Sequence, residues 1–163
     1  MRESIGATWI FSICLTFIIL FTAYLAISVN YAKAFRIKSN IVSMIEENEG
    51  YNHDIDDRIV NYLVSEGYTA SGTCDANISA TTTNRVDTEY RLVGDCIDIY
   101  NTGRCNACIY RRVRQNNADD IGNCNSYYKV ITFFKFDLPI VNVFANFKVG
   151  GETKMIHEFN SCY

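Results

Sequence analysis

Cysteine is the residue type in this sequence with the clearest chemical role. There are seven, and all but Cys14 follow residue 70, at Cys74, Cys96, Cys105, Cys108, Cys124 and Cys162. An even number of cysteines in a small domain is typical of a disulfide framework formed in an oxidising compartment. We therefore expect three disulfides. Their pairing stays open, although a bond between Cys124 and Cys162 is favoured because it would hold down the C-terminal end.

The segment Cys105-Asn-Ala-Cys108 has the CxxC spacing of redox and zinc sites. Thioredoxin-like chemistry would need a surrounding βαβ pattern, which this sequence does not show. Zinc binding by Cys105, Cys108, Cys124 and a fourth ligand is the second alternative, but a second CxxC or a spaced histidine pair is missing. Structural disulfides are therefore preferred, and no metal or cofactor is expected.

Other residue types offer little basis for catalysis or nucleic-acid binding. The histidines, His53 and His157, lie in no nucleophile, zinc or phosphate motif, so an enzyme is not expected. The formal net charge is −3 and the pI is about 5.3, which argues against a nucleic-acid partner. The one basic cluster, in residues 111–114, could bind an anion or form an ordinary solvated strand face.

The elements that would position the cysteines begin with a long apolar segment. No acidic or basic side chain occurs in residues 4–32. About 20 apolar residues in a helix cross a bilayer core, so this segment is long enough to span a membrane. Trp9 near one end and Tyr24 and Tyr31 near the other would lie at the two interfaces. A cleaved secretory signal is the alternative, but its apolar core is usually only about 7–15 residues long.

The helical pattern continues beyond the apolar segment. Residues 33–49 lack proline and repeat apolar side chains at a spacing of three to four, which predicts an amphipathic half of the same helix, ended by Gly50. A second helix is predicted from Asn52, which can cap its start, to Gly67, which fits its end. Residues 50–163 would form a head domain outside the membrane.

The rest of the head is predicted to be a loop followed by a mainly antiparallel sheet. Residues 69–88 are rich in Ser, Thr, Asn and Gly, which indicates a surface loop. Strands are expected in residues 90–93, 96–100, 109–115, 127–136 and 147–157, whereas 140–147 fits a helix or a strand. We expect the last strand to bend at Gly150-Gly151. The predicted fold class is α+β.

Two signals disagree on which side of the membrane the head lies. Lys33, Arg36 and Lys38 follow the apolar segment, and the positive-inside tendency would place them in the cytoplasm. The cysteines argue for the other side, because the cytosol keeps thiols reduced. We expect the head to lie outside, since these basic residues could belong to a packed helical stalk.

This layout resembles the type IV pilin superfamily. The start, Met1-Arg-Glu-Ser-Ile-Gly-Ala-Thr-Trp-Ile-Phe, followed by Asn30-Tyr-Ala-Lys-Ala-Phe-Arg, is most similar to TadE-like pseudopilins of tight-adherence (Tad) pili. Phe136-Asp-Leu-Pro-Ile-Val and Gly151-Glu-Thr-Lys-Met-Ile resemble the end of such proteins in Gram-positive bacteria. The resemblance implies a long pilin-like helix packed on a small antiparallel, disulfide-bonded head.

The resemblance also implies a function. The chain would be a non-catalytic minor subunit of a cell-surface filament or its assembly complex, acting in adhesion and pilus biogenesis. Its partners would be the membrane and other pilin-like subunits, in a homo- or hetero-oligomer. A prepilin-peptidase junction at Gly6-Ala7 would place Phe11 where the family usually has glutamate.

The alternative is a binding ectodomain that a single helix anchors at the cell surface. An uncharged span that passes directly into a stalk favours the filament subunit, because an independent ectodomain usually follows a flexible linker. In a bilayer, small and hydroxylated side chains let helices approach closely. The positions expected to contact the membrane or neighbouring helices are Gly6, Ala7, Trp9, Phe11, Ser12, Thr16, Ala23, Tyr24, Ala26 and Ser28.

Overall fold

The computed structural model describes residues 2–79, 89–93, 96–115, 123–135 and 146–159. In these residues the chain forms two helices and then six strands. The elements are α1 (Arg2–Glu47), α2 (His53–Ser65), β1 (Asn77–Ser79), β2 (Glu89–Leu92), β3 (Ala107–Gln115), β4 (Asn123–Lys135), β5 (Asn146–Glu152) and β6 (Ile156–Phe159). The predicted α+β architecture, with one long N-terminal helix and an antiparallel sheet, is confirmed.

Helix α1 is continuous from the apolar segment into the head. It has 46 residues, a length of about 69 Å at 1.5 Å per residue. After Glu47 the backbone leaves the helix, with positive φ angles of 52° at Glu49 and 147° at Gly50. The Gly50 N–H donates to the Ile45 carbonyl over 3.1 Å, which satisfies an acceptor of the last turn. Gly50 therefore marks the end of the helix, as predicted.

Helix α2 lies beside the C-terminal half of α1, called its upper half below. The Asn52 side chain accepts a hydrogen bond from the Ile55 N–H over 2.9 Å, and Gly67 follows the helix with a φ of 58°. Both predicted ends are thus confirmed. The two helices share an apolar contact in the core, formed by Ile37, Ile41, Ile45, Ile55, Ile59 and Leu63.

The sheet is antiparallel throughout its described pairings. Its strand order is β1-β2-β3-β4, and both β5 and β6 pair with the edge of β4 that β3 leaves open. On β4, Tyr128, Val130 and Thr132 point to one face, as the alternation predicts, and all three are buried. The Thr132 hydroxyl donates to the Ala34 carbonyl over 3.3 Å, so this face packs on α1.

The opposite face of β4 is buried as well. Ile131 and Phe133 point away from α1 and are both buried, and the chain that follows α2 covers Phe133, whose ring contacts Gly72. Tyr68 donates its hydroxyl proton to the Phe133 carbonyl. The prediction of a surface loop from residue 69 is therefore wrong for part of it, because Ala70 and Gly72 are buried. Residues 80–88 lie outside the described residues.

Two predicted strands differ in the structure. Residues 96–100 contain only an isolated bridge at Ile97 and then a turn, because a disulfide and an aspartate close this segment into a loop. The strand predicted over 147–157 is interrupted after Glu152, whereas its pairing with β4 is continuous through Gly150 and Gly151. Three residues, 153–155, stand opposite Tyr127 and Tyr128 of β4, which is a local bulge in the pairing. Residues 136–145 fall outside the described residues.

Candidate membrane and packing surface

The lower half of α1, residues 8–29, is exposed along almost its whole length. Among the described residues, this is the one helical segment that is long and apolar enough to cross a membrane. None of the residues in its most apolar part is buried. Trp9, Phe11 and Tyr24 are all exposed, Trp9 by 70% of its surface. So large an unpartnered apolar surface marks an interaction with lipid or protein. By length and composition, this half is compatible with a membrane anchor.

Two hydroxyl groups of this segment have partners within the helix. Thr16 Oγ1 donates to the Ser12 carbonyl over 2.9 Å, and Thr22 Oγ1 donates to the Ile19 carbonyl over 2.9 Å. A polar group without a partner in hydrocarbon costs several kcal/mol, so these bonds make the residues tolerable in lipid. The hydroxyl groups of Thr16 and Thr22 are thus no obstacle to insertion.

Four small side chains of the lower half lie on one side of the helix. Counting about 100° per residue, Ser12, Thr16, Ala23 and Ala26 fall within about 80° of one another. We call these four residues the small-residue stripe. By the same count Thr8, Ile19 and Asn30 fall in this arc, and Ile19 is the large apolar residue among them. Of the other predicted packing positions in α1, Ser28 falls on another side of the helix, and the side chains of Gly6 and Ala7 lie outside what the structure describes.

The stripe continues upward into the buried side of α1. By the same count, Ala34, Ile37, Ile41 and Ile45 lie in nearly the same arc, and each is fully buried in the head. One side of a single helix therefore packs on protein in its upper half and is bare in its lower half. The burial begins at Ala34, one helical turn above Asn30.

Polar contacts fix α1 to the head near this transition. Lys33 Nζ donates to the Glu66 carbonyl over 3.1 Å, and Asn40 Nδ2 donates to the Tyr62 hydroxyl over 2.6 Å. These bonds join α1 to α2 on one side, and the Thr132 bond joins it to β4 on the other. The upper half is therefore held at several separate points, which orients the whole helix relative to the sheet.

Two disulfides stabilise the side of the head away from α1. Cys74 is bonded to Cys108, which ties the segment before β1 to β3. Cys96 is bonded to Cys105, which closes a loop ahead of β3. The predicted disulfide framework is confirmed for these two pairs. The side chain of Cys124 and all of Cys162 lie outside what the structure describes, so the third pair stays a prediction.

The two bridges lie close together. The sulfur atoms of Cys74, Cys96 and Cys105 are within 4.8 Å of one another. The cysteines of the CxxC segment, Cys105 and Cys108, each bond to a different partner rather than to one another. Since zinc binds thiolates, cysteines held in disulfides are not zinc ligands. The arrangement supports the structural reading of these four residues.

The disulfide-closed loop is further ordered by two polar side chains that sequence reasoning missed. The Asp98 carboxylate accepts hydrogen bonds from the Gly103 N–H over 2.7 Å and from the Tyr100 N–H over 3.2 Å. Desolvation acts to raise the pKa of Asp98, but these bonds and those from Thr102 lower it overall. The turn-forming run Asn101-Thr-Gly103, with an aspartate before it, is the signal that could have indicated this loop.

The Asn106 side chain joins the same loop to the segment that follows α2. Its Oδ1 accepts from the Ile99 N–H over 3.0 Å, and its Nδ2 donates to the Ala70 carbonyl over 3.0 Å. The side chain is buried, and it satisfies main-chain groups of two segments that would otherwise lack partners. The loop therefore has a defined shape on the side of the head remote from α1.

The remaining candidate residues are dispersed. Arg111 donates to Ser126 over 3.2 Å on the α1 face, whereas Arg112 lies on the other face between the rings of Tyr90 and Tyr127. The two described side chains of the basic cluster, Arg111 and Arg112, thus lie on opposite faces of the sheet, and the side chain of Arg114 is outside the described part. Burial raises the pKa of Tyr68 to about 12, so its hydroxyl stays protonated and donates to the main chain. These described groups do not form a pair suited to proton transfer.

Compared with models of known protein families, with curated proteins and with solved structures, the chain shows no significant match.

Proposed function

We propose that this chain is a pilin-like structural subunit, of the TadE-like pseudopilin kind, in a cell-surface filament or its assembly complex. In the proposal the lower half of α1 anchors the chain in the membrane with the head outside. The same half later packs against the helices of other pilin-like subunits. The role is structural and involves no catalysis.

The proposal rests mainly on one observation. The same side of α1 is buried by the head in its upper half and largely uncovered in its lower half. Ala34, Ile37 and Ile41 on this side are fully buried in the head, whereas Ala23 and Ala26 below them are only partly covered. A helix that only anchored an ectodomain would need an apolar surface alone. Small side chains in line with a protein-packing side instead favour close contact with a second helix.

Small residues favour helix association in a membrane because lipid, rather than water, surrounds the helices. In a bilayer the lipid tails are as apolar as leucine, so helices gain little by burying large apolar residues against one another. They associate where small residues allow the backbones to approach closely and make many van der Waals contacts. Replacing the small residues with leucine should therefore weaken association and leave insertion intact.

A pair of matched double variants tests this in the source cells. Ala23→Leu with Ala26→Leu fills the stripe, whereas Ser28→Leu with Ala32→Leu adds similar bulk on the opposite side of α1. We expect all proteins to resist alkaline extraction from membranes. Only the stripe variant should be depleted from sheared surface filaments and from complexes with pilin-like chains.

The outcome also decides between the two functions. If both double variants enter surface filaments as well as wild type does, the helix is an anchor and the chain is a membrane-bound ectodomain. If both are depleted equally, bulk anywhere on the helix disturbs assembly, and the stripe has no special role. A chain that never enters the membrane would contradict both functions.

A further inference from the structure

Four aromatic rings form a continuous patch at the base of the head. Tyr31 contacts Phe134 edge-on with ring centroids 5.8 Å apart, and Phe134 stacks on Phe147 at 5.0 Å. Tyr31 also stacks on Phe35 at 6.4 Å. We call these four residues the basal aromatic cluster. It joins α1 to the ends of β4 and β5 that lie nearest the bare half of the helix.

The cluster exposes much apolar surface, which is unfavourable in water. Tyr31, Phe35 and Phe147 each expose about half of their surface, 49%, 48% and 48%. Leaving large apolar side chains in water forgoes the free energy of burying them, and contiguous patches of this kind usually meet a partner. The cluster is therefore a candidate docking surface.

The position of the cluster along α1 indicates what it meets. Residues 8–29 extend about 33 Å, which matches the roughly 30 Å hydrocarbon core of a bilayer. Tyr31 then lies about 3 Å above the edge of this core. The Cα of Phe35 lies about 9 Å above it, and its ring leans back toward the core because side chains on a helix tilt toward the N-terminus. The headgroup layer occupies about 5–8 Å on each side, which is the depth at which aromatic side chains accumulate.

Basic side chains surround the cluster at the same height. Lys38 places its Nζ 4.0 Å from the centre of the Phe35 ring. Lys33 and Lys135 line a cleft of about 230 Å³ beside Phe134. Lys33 bonds there to a neutral carbonyl, so its charge is not cancelled by that contact. Positive charge around an apolar patch is the pattern of surfaces that lie on anionic lipid headgroups.

We infer that the basal aromatic cluster seats the head on the bilayer, with its rings in the headgroup layer and the neighbouring Lys33 and Lys38 on lipid phosphates. The inference rests on the membrane anchoring in the proposed function and adds a second attachment to it. The head would then be held at a fixed height and tilt on the membrane, because two separate elements of it contact the lipid.

The test uses the full chain in vesicles that contain phosphatidylcholine and phosphatidylglycerol. Trp9 is the only tryptophan, so Trp9→Phe gives a background without tryptophan emission. In that background Phe147→Trp is the cluster probe. Met155→Trp is the control probe, because Met155 is similarly exposed at 44% but lies near the upper end of α1, in a cleft with Glu46. Lipids brominated near the headgroup quench tryptophan at that depth.

We expect these lipids to quench the cluster probe, which should also emit at shorter wavelength than the control probe. The control probe should stay unquenched. Equal behaviour of the two probes in an inserted chain would overturn the inference and leave the proposed function intact. A blue shift of the cluster probe that depends on the ratio of protein to lipid, without quenching, would assign the cluster to a second copy and also overturn it. If the chain resists insertion altogether, as alkaline extraction would show, the anchoring fails and this inference fails with it.

Discussion

Gly72 lies against the ring of Phe133 with no room for a side chain, since a Cβ on residue 72 would overlap ring carbons Cδ1 and Cε1. The main chain of Gly72 also exchanges two hydrogen bonds with Cys105, at 2.8 and 3.0 Å. The close approach therefore joins the segment after α2 to the far face of β4 and to the disulfide-bonded loop. Neither partner can move away without breaking other contacts.

The first prediction concerns this contact. Gly72→Ala should lower the free energy of unfolding of the head by about 1–3 kcal/mol, because overpacking forces a buried ring or the main chain to shift. Gly151→Ala is the control. A Cβ there would be 2.6 Å from Lys38 Cδ, but the Lys38 side chain is flexible at that end and can move. Urea unfolding in detergent, followed by near-ultraviolet circular dichroism, should rank Gly72→Ala below Gly151→Ala. Equal stability would show that the segment after α2 adapts freely.

The second prediction compares the two described disulfides. Replacing Cys74 and Cys108 together with alanine should destabilise the head by about 1 kcal/mol more than replacing Cys96 and Cys105. The reason is that the first bridge closes a separation of 34 residues and the second a separation of only 9. Urea midpoints of the two double variants measure the difference. A larger loss from the shorter bridge would mean that its loop contacts outweigh chain entropy.

The third prediction concerns the cysteines that the structure leaves open. We expect Cys124 and Cys162 to be bonded to each other, so that Cys14 is the single thiol of the unreduced protein. Alkylation under denaturing conditions should then add one label before reduction and seven after it. Three labels before reduction would show that Cys124 and Cys162 are free thiols, and peptide mapping without reductant would expose any other pairing.

The fourth prediction is a pH dependence of the loop closed by Cys96 and Cys105. In the folded protein the pKa of Asp98 is lowered from its ordinary value of 3.8. The ionised carboxylate therefore contributes its full stabilisation of the loop at pH values above 3.8. This stabilisation is lost as the pH falls through the lowered pKa. The amide resonance of Gly103 should therefore titrate with a midpoint below 3.8. The same resonance in Asp98→Asn should not titrate there, and a midpoint above 3.8 would contradict the hydrogen bonds at this carboxylate.

Local signals in the sequence were sufficient for the helices. The apolar segment and its amphipathic continuation predicted α1, and a capping asparagine and a terminal glycine predicted the ends of α2. These features depend on residues a few positions apart, so they can be recognised without knowledge of the fold. The strand over residues 127–136 was predicted for the same reason, and β4 contains most of it.

The errors concern segments whose structure depends on distant residues. Ile97 and Ile99 favour a strand locally, but the Cys96–Cys105 bond and the Asp98 hydrogen bonds impose a loop. The interruption after Glu152 is stabilised by contacts with other elements. The Lys154 N–H donates to Glu46 Oε1 over 2.7 Å, and Thr153 bonds to the main chain of Tyr128. Such contacts join residues far apart in the chain, so sequence spacing does not reveal them.

The head overhangs the side of α1 that carries the small-residue stripe. Because Ala34 and Thr132 bring β4 down to within one turn of Asn30, the sheet forms a ledge directly above Ala26. A second copy standing parallel and at equal height would place its own upper helix where this sheet already lies. Neighbours that use the stripe must therefore be offset along the axis or cross at an angle. In a filament built through this side, neighbouring subunits would be displaced along the helix axis. The displacement would have to be large enough for the upper helix of one copy to clear the sheet of the next.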